Sequence, residues 1–218
     1  MGNISLKNLF KKDSLLTLVY IFTPGIIILG LGIYLTESNN IHFEMVSRDP
    51  IQILNGKPYI GIISNIGILM WCATCTILLY SSLICRIKNR PPRETNFLFF
   101  SGLLSIFLMI DDLFLMHDVI FPEYLKIDEK IFYVVYGLSV IAIFLRFYKI
   151  MLTTDYVLLM LAFFLLGFSA ITDIVLTLGL HLKHEYAFED SFKFLGIIAW
   201  FSYFSRTGFK FVKNAIAN

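Results

Sequence analysis

The chain has 218 residues, of which 57% are hydrophobic and 16% are charged, and its mean hydropathy is +0.75. Soluble domains of this length carry more charge, so the composition excludes an ordinary soluble protein and predicts a polytopic membrane protein. The net charge is +2, and the basic residues lie at the ends of apolar segments rather than in a patch, which argues against a nucleic-acid partner.

Six apolar stretches are long enough to cross a bilayer as helices, since a crossing takes about 20 helical residues. They are 15–36, 59–87, 97–120, 131–151, 156–182 and 192–211. The basic segment 1–14 precedes a run that is too long for a signal peptide, so we expect an uncleaved first span. The prediction is an all-α, six-transmembrane-helix bundle that forms a single transmembrane domain over residues 1–218.

The basic residues predict the orientation of this bundle. With the N-terminus inside, the inner segments hold twelve lysines and arginines and the outer segments hold six. The positive-inside rule then places both termini in the cytoplasm. We expect an integral protein of the plasma membrane, such as a bacterial inner membrane. The longest loop, 37–58, is external and is long enough to cover the outer mouth, although most such loops are connectors.

The third predicted span carries four titratable groups. Asp111, Asp112, His117 and Asp118 all fall within residues 97–120. Asp111 lies about 21 Å along this helix at 1.5 Å per residue, and Asp118, seven residues later, shares its face. A carboxylate in hydrocarbon is expensive and usually faces a partner, water or a pathway, so Asp111 and Asp112 are candidate catalytic residues.

The fifth predicted span carries a second polar stripe. Asp173, Thr177, His181 and His184 are spaced by four, four and three residues, which places them on one helix face. The other faces are almost wholly apolar. A polar stripe needs a polar surface opposite it, and the acids of the third span lie at the same depth. Asp173 is therefore the third candidate catalytic residue, with Thr177 in support.

The start of the sixth predicted span adds charged residues at this depth. Glu189 and Asp190 lie four and three residues before Lys193, so either acid can pair with the lysine on a helix. Near buried carboxylates, Lys193 would act as a counter-ion that lowers the energy needed to keep them ionised. We expect these three residues to support the site rather than to react.

The histidines suggest a metal. His117, His181 and His184 are three imidazoles at similar depth, and Asp118 lies beside them. Three histidines with a water form a catalytic zinc set, and a nearby carboxylate can act as general base. We therefore predict a bound divalent metal ion, zinc above others, although acid-rich sites also suit Ca²⁺ or Mg²⁺.

These predictions favour a metal-dependent membrane enzyme, a hydrolase that acts on a lipid or its headgroup at the outer leaflet. Two other classes stay open. The acidic cluster is also typical of a proton or cation transporter or channel, and a polar cluster can simply hold helices together in a non-catalytic accessory subunit. Membrane lipids are the expected partners, and a homo-oligomer or unknown partner subunits are compatible with the sequence.

Overall fold

The computed structural model describes residues 12–128, 130–177 and 185–217, and within these ranges every regular element is helical. The chain divides into two compact units, Met1–Ile60 and Gly61–Asn218. The first unit contains α1 (Lys12–Asn39), α2 (Glu44–Ser47) and α3 (Pro50–Ile53). The second contains α4 (Ile62–Ile87), α5 (Pro92–Phe114), a π-helical segment (Met116–Leu125), α6 (Lys130–Met151), α7 (Tyr156–Thr177) and α8 (Glu185–Ala217).

In the first unit, a long apolar helix leads into two short helices. α1 has Pro24 in its interior, and the Thr23 hydroxyl donates to the Val19 carbonyl at 2.6 Å. The predicted loop 37–58 contains the short helices α2 and α3. Asp49 caps α3, since its carboxylate accepts the backbone N–H of Ile51 at 2.8 Å.

Among the described residues, five helices are long and apolar enough to cross a membrane. They are Leu16–Asn39, Ile62–Ile87, Pro92–Phe114, Lys130–Met151 and Tyr156–Val175. These match the first five predicted stretches to within a few residues at most ends. The sixth predicted stretch, 192–211, lies inside α8, whose 33 residues extend well beyond it on both sides.

The core of the second unit lies between α4, α5, α7 and α8. α8 packs against both α7 and α4, and α4 packs against α5. Small residues allow these close approaches, as is usual where membrane helices meet. A Cβ on Gly196 of α8 would come within 2.7 Å of the Leu166 side chain of α7, and one on Gly208 would come within 2.9 Å of the Ser81 hydroxyl of α4.

α6 is attached differently. It packs on α5 and approaches α7 at few positions. Large apolar side chains along it, such as Val134, Leu138 and Leu145, are exposed. Contact between α6 and α7 is therefore sparse, and the exposed face of α6 is apolar.

The turn between α6 and α7 is held to α8 by three polar contacts. The Lys210 ammonium donates to the Thr153 carbonyl at 2.7 Å, the hydroxyls of Thr154 and Tyr203 are 2.8 Å apart, and Arg206 pairs with Asp155. These contacts fix one end of the bundle. The candidate site lies at the other end.

The third helix begins and ends earlier than the predicted stretch, 97–120. α5 ends at Phe114, and Leu115 adopts a left-handed conformation with φ 50°. The Asp111 carboxylate accepts the backbone N–H of His117 at 3.0 Å and so stabilises the chain just after this left-handed residue. The expected common helix face of Asp111 and Asp118 is therefore interrupted, because a side chain within the helix provides the acceptor at its end.

Candidate functional site

A cavity of about 310 Å³ opens within the second unit, and α4, α5, the π segment, α6, α7 and α8 all contribute to its walls. One part of its lining is polar and the other is apolar. The polar lining residues are Asp111, Asp112, His117, Tyr133, Tyr136, Ser169, Asp173, Glu189 and Lys193. The larger apolar lining residues are Trp71, Leu108, Val140, Phe163, Leu166 and Trp200.

Asp112 joins three helices at the polar end. Its Oδ2 accepts from the Trp71 indole Nε1 at 2.9 Å, and its Oδ1 lies 2.7 Å from the Lys193 ammonium. The Asp112 side chain is 11% exposed and that of Lys193 is 36% exposed. Removing Lys193 would leave the largely buried Asp112 carboxylate without its cation, so we expect the pair to hold α5 and α8 in their relative positions.

His117 lies between two carboxylates. Its Nδ1 is 2.6 Å from Asp111 Oδ2, and its Nε2 is 3.1 Å from Asp118 Oδ1. The Nδ1 contact has an ion-pair distance without the alignment of a regular hydrogen bond. His117 and Asp111 are buried, whereas the Asp118 side chain is 46% exposed. Both ring nitrogens therefore face carboxylates rather than the open cavity.

Two tyrosines of α6 face this cluster. The Tyr133 hydroxyl donates to Asp173 Oδ2 of α7, which connects the two helices at the cavity. The Tyr136 hydroxyl is buried and lies near Asp111 without an aligned hydrogen bond. The His117 ring contacts both tyrosine rings edge to face, at centroid distances of 5.6 Å and 6.4 Å. These aromatic contacts restrict the imidazole to one orientation.

Glu189, on the first turns of α8, is a cavity carboxyl whose pKa is raised toward neutrality. Burial raises the pKa of its carboxyl from the ordinary value of 4.5 to about 7, and the charges of Asp173 and Asp190 act in the same direction. Asp118 adds to this effect, whereas Lys193 opposes it. A carboxyl that titrates near pH 7 is suited to general acid–base catalysis.

The apolar end is closed by two tryptophans. Trp71 and Trp200 meet edge to face at 5.7 Å, and the Trp200 indole donates to the Ser105 hydroxyl at 3.1 Å. Phe163 of α7 packs on Trp200 at 5.9 Å. The cavity thus joins a charged end to an aromatic and aliphatic end, which is the lining that an amphipathic ligand requires.

Comparison with protein families gives a match over most of the chain. A family model described as "Domain of unknown function (DUF8692)" matches residues 19–207. The chain belongs to this family. No curated protein and no solved structure matches it. Every residue that lines the cavity falls inside the region of the DUF8692 match, so the cavity is part of the family domain.

The structure brings together six of the site residues predicted for this DUF8692 chain. Those that line the cavity are Asp111, Asp112, His117, Asp173, Glu189 and Lys193. Asp118 contacts the outer side of His117, and Asp190 is exposed beside Glu189. Thr177 ends α7, and the predicted ligands His181 and His184 lie outside the described residues.

The predicted metal site stays a prediction. Within the described ranges, no three His, Cys, Asp or Glu side chains converge as metal ligands. The proposed set depended on His181 and His184 together with His117, and the first two are not described. Zinc is therefore an expectation that elemental analysis can test.

Several residues that line the cavity were not predicted from the sequence. Neither Trp71 nor Tyr133 is among the residues predicted for the site, although both donate hydrogen bonds to predicted carboxylates. A signal did exist on α6, because Tyr133, Tyr136 and Gly137 fall at the three- and four-residue spacing of one helix face. No comparable pattern marks Trp71, whose partner lies 41 residues away.

Proposed function

We propose that α8 is a sixth transmembrane helix and that the cavity lies on the non-cytosolic side. α8 packs along α4 and α7, which are both apolar enough to span, so it shares their environment. At 1.5 Å per residue its 33 residues extend about 50 Å, more than the thickness of the hydrocarbon. The end opposite the cavity carries Arg93, Arg146, Arg206 and Lys210, which supports a cytosolic position for that end.

We propose that the protein is a membrane enzyme that acts on a lipid or lipid headgroup, with hydrolysis as the reaction. The observation that carries this proposal is the convergence of carboxylates from α5, α7 and α8 above an apolar cavity floor. An amphipathic substrate fits such a lining with its polar part at the carboxylates. An aqueous metabolite would gain nothing from the apolar end.

We assign the residues three roles. Glu189 is the proposed general acid, because its carboxyl still holds a proton near neutral pH. Asp173 is the proposed base that activates water. It accepts a hydrogen bond from the Tyr133 hydroxyl, and its charge contributes to the raised pKa of Glu189. Asp112 and Lys193 form a fixed ion pair that positions the polar part of the substrate.

Hydrolysis can be tested with purified chain in lipid nanodiscs. A panel of membrane lipids is incubated in water labelled with heavy oxygen, and products are identified by mass spectrometry. Wild-type protein should release a product that carries the label, and Glu189→Gln and Asp173→Asn should lower the rate by about 10²-fold or more. Glu123→Gln changes an exposed acid outside the cavity and should leave the rate unchanged. Folded wild-type protein that releases no labelled product from any lipid would overturn the proposal.

The predicted metal has its own measurement. Zinc, iron and calcium are quantified in the purified protein, before and after incubation with a chelator. One equivalent of metal, with activity lost on chelation and restored by zinc, would support the metal-dependent form of the hydrolase. Activity without any bound metal would instead support hydrolysis by acid–base chemistry of the carboxylates alone.

A second candidate function, proton translocation, is favoured by one observation. Below the cavity, the buried Ser101 hydroxyl has no hydrogen-bond partner among the described residues and borders a void of about 10 Å³, the size of one water. Ser105 connects this region to Trp200 at the cavity floor. Proteoliposomes loaded with a pH-sensitive dye would show proton flux that Ser101→Ala diminishes if this function is correct.

A further inference from the structure

The cavity has two ends of different chemistry, and its volume limits what can fill it. About 310 Å³ lies at the lower end of the range for small-molecule sites, roughly 300–1,000 Å³. A complete two-chain lipid exceeds this volume, whereas a headgroup with part of one hydrocarbon chain fits it. The apolar end, closed by Trp71 and Trp200, matches a chain rather than a second polar group.

The charge at the polar end selects against anions. Among the described lining residues, four carboxylates face one lysine and one histidine. Two of these carboxylates, Asp111 and Asp112, contact His117 and Lys193 directly. The balance of formal charge is negative whether or not Glu189 is ionised, so a phosphate or sulfate is disfavoured and an ammonium group is favoured.

Two glycines of the cavity lining lie on α6 and α7, the pair of helices with sparse contact. Gly137 and Gly167 lie on these two helices, and both line the cavity. A Cβ built on either would find no atom within 4 Å, so each borders open space. The flanking Leu138 and Phe168 are exposed apolar side chains that would face lipid in a membrane. Because α6 and α7 approach each other at few positions, a chain can pass between them.

We propose that the cavity binds a single-chain amphiphile with an ammonium headgroup, which enters from the membrane between α6 and α7. Gly137 and Gly167 form the passage for the hydrocarbon chain and set its width. The inference rests on the proposed lipid-directed function and names its substrate class. Binding and turnover are separable, so each can fail without the other.

Both tryptophans of the chain line the cavity, and each is 2% exposed. Their fluorescence therefore reports occupancy of the apolar end with little contribution from bulk lipid. The probe is a bromoalkyl trimethylammonium, whose bromine quenches tryptophan on contact, titrated into the full chain in nanodiscs. The comparison probe is the bromoalkyl phosphate of the same chain length. The trimethylammonium probe should quench saturably, and the phosphate probe should bind about tenfold more weakly or worse.

The glycine variants test the passage. Gly137→Leu and Gly167→Leu place a side chain in open space and should weaken binding of the ammonium probe by about tenfold or more. Gly30→Leu is the matched control, since Gly30 lies in α1 with equally open surroundings and should leave binding unchanged. Equal quenching by both probes would overturn the headgroup assignment. Unchanged quenching in both cavity variants would overturn the passage.

These results are independent of hydrolysis. Saturable quenching without any labelled product would leave the binding inference intact and reject the enzyme. Labelled product from phosphate-headed lipids alone, with no quenching by the ammonium probe, would keep the enzyme and reject the substrate class.

Discussion

The Asp112–Lys193 ion pair should be strongly coupled in a double-mutant cycle. Lys193→Met removes the cation and leaves the Asp112 carboxylate, which is 11% exposed, with the Trp71 indole as its remaining partner in the described contacts. Asp112→Asn leaves a lysine that is 36% exposed and can turn toward water. We therefore expect Lys193→Met to be the more destabilising single change.

The magnitude follows from the 2.7 Å separation of the two charges. Coulomb's law gives about 1.5 kcal/mol at the dielectric constant of water and about 6 kcal/mol at an effective value near 20. Because Lys193 is partly exposed and desolvation opposes the attraction, we expect a coupling of about 2 kcal/mol. The double variant should be less destabilised than the sum of the two single variants by this amount.

The assay is reversible unfolding in mixed detergent micelles, followed by circular dichroism, for the four members of the cycle. The matched control is the exposed pair Glu44–Arg48, with side chains 65% and 54% exposed and 3.6 Å apart, which should show coupling of about 0.5 kcal/mol or less. Equal coupling in the two pairs would refute the reasoning, since burial is what separates them.

Three further predictions concern neighbouring groups. The pKa of about 7 at Glu189 lies above its ordinary value of 4.5, so the folded state holds the proton more tightly than the unfolded state does. The free energy of unfolding should therefore fall by about 2 kcal/mol as pH rises from 4.5 to 7. Glu189→Gln should flatten this pH profile, and an unaltered profile would reject the assignment. Asp111→Ala removes the acceptor of the His117 N–H and should destabilise the π segment by about 2 kcal/mol, measured as faster amide hydrogen exchange over residues 116–125. Tyr133→Phe breaks the bond to Asp173 and should increase acrylamide quenching of the cavity tryptophans, whereas Tyr124→Phe, at an exposed position, should not.

The positions of the helices follow from apolar run length and could be predicted from the sequence alone. Uninterrupted runs define α4 and α6 to within a few residues, because only a closed hydrogen-bonded helix is stable in hydrocarbon. The end of α5 could not be predicted in this way. No Gly or Pro lies between Phe114 and Phe121, and the carboxylate that accepts the backbone N–H after the break is that of Asp111, inside the helix.

The candidate site was only partly predictable for a related reason. Buried charges are conspicuous in an apolar sequence, so the acids of α5 and α7 and the lysine of α8 could be identified by composition. Their pairing could not. Asp112 contacts Trp71 and Lys193, which lie far from it along the chain, and helix rotation decides such contacts. Sequence periodicity predicts which residues share a helix face, but it does not predict which other helix packs against that face.

The attachment of the α6–α7 turn to α8 has a mechanical consequence. Since Thr153 and Thr154 are bonded to Lys210 and Tyr203, the C-terminal end of α6 acts as a fixed pivot. Any tilt of α6 away from α7 is then largest at its far end, where Tyr133 lies. Separation of the helices there breaks the Tyr133–Asp173 hydrogen bond, so admission of a ligand from the side changes the hydrogen bonding of the carboxylate that is proposed to act on it.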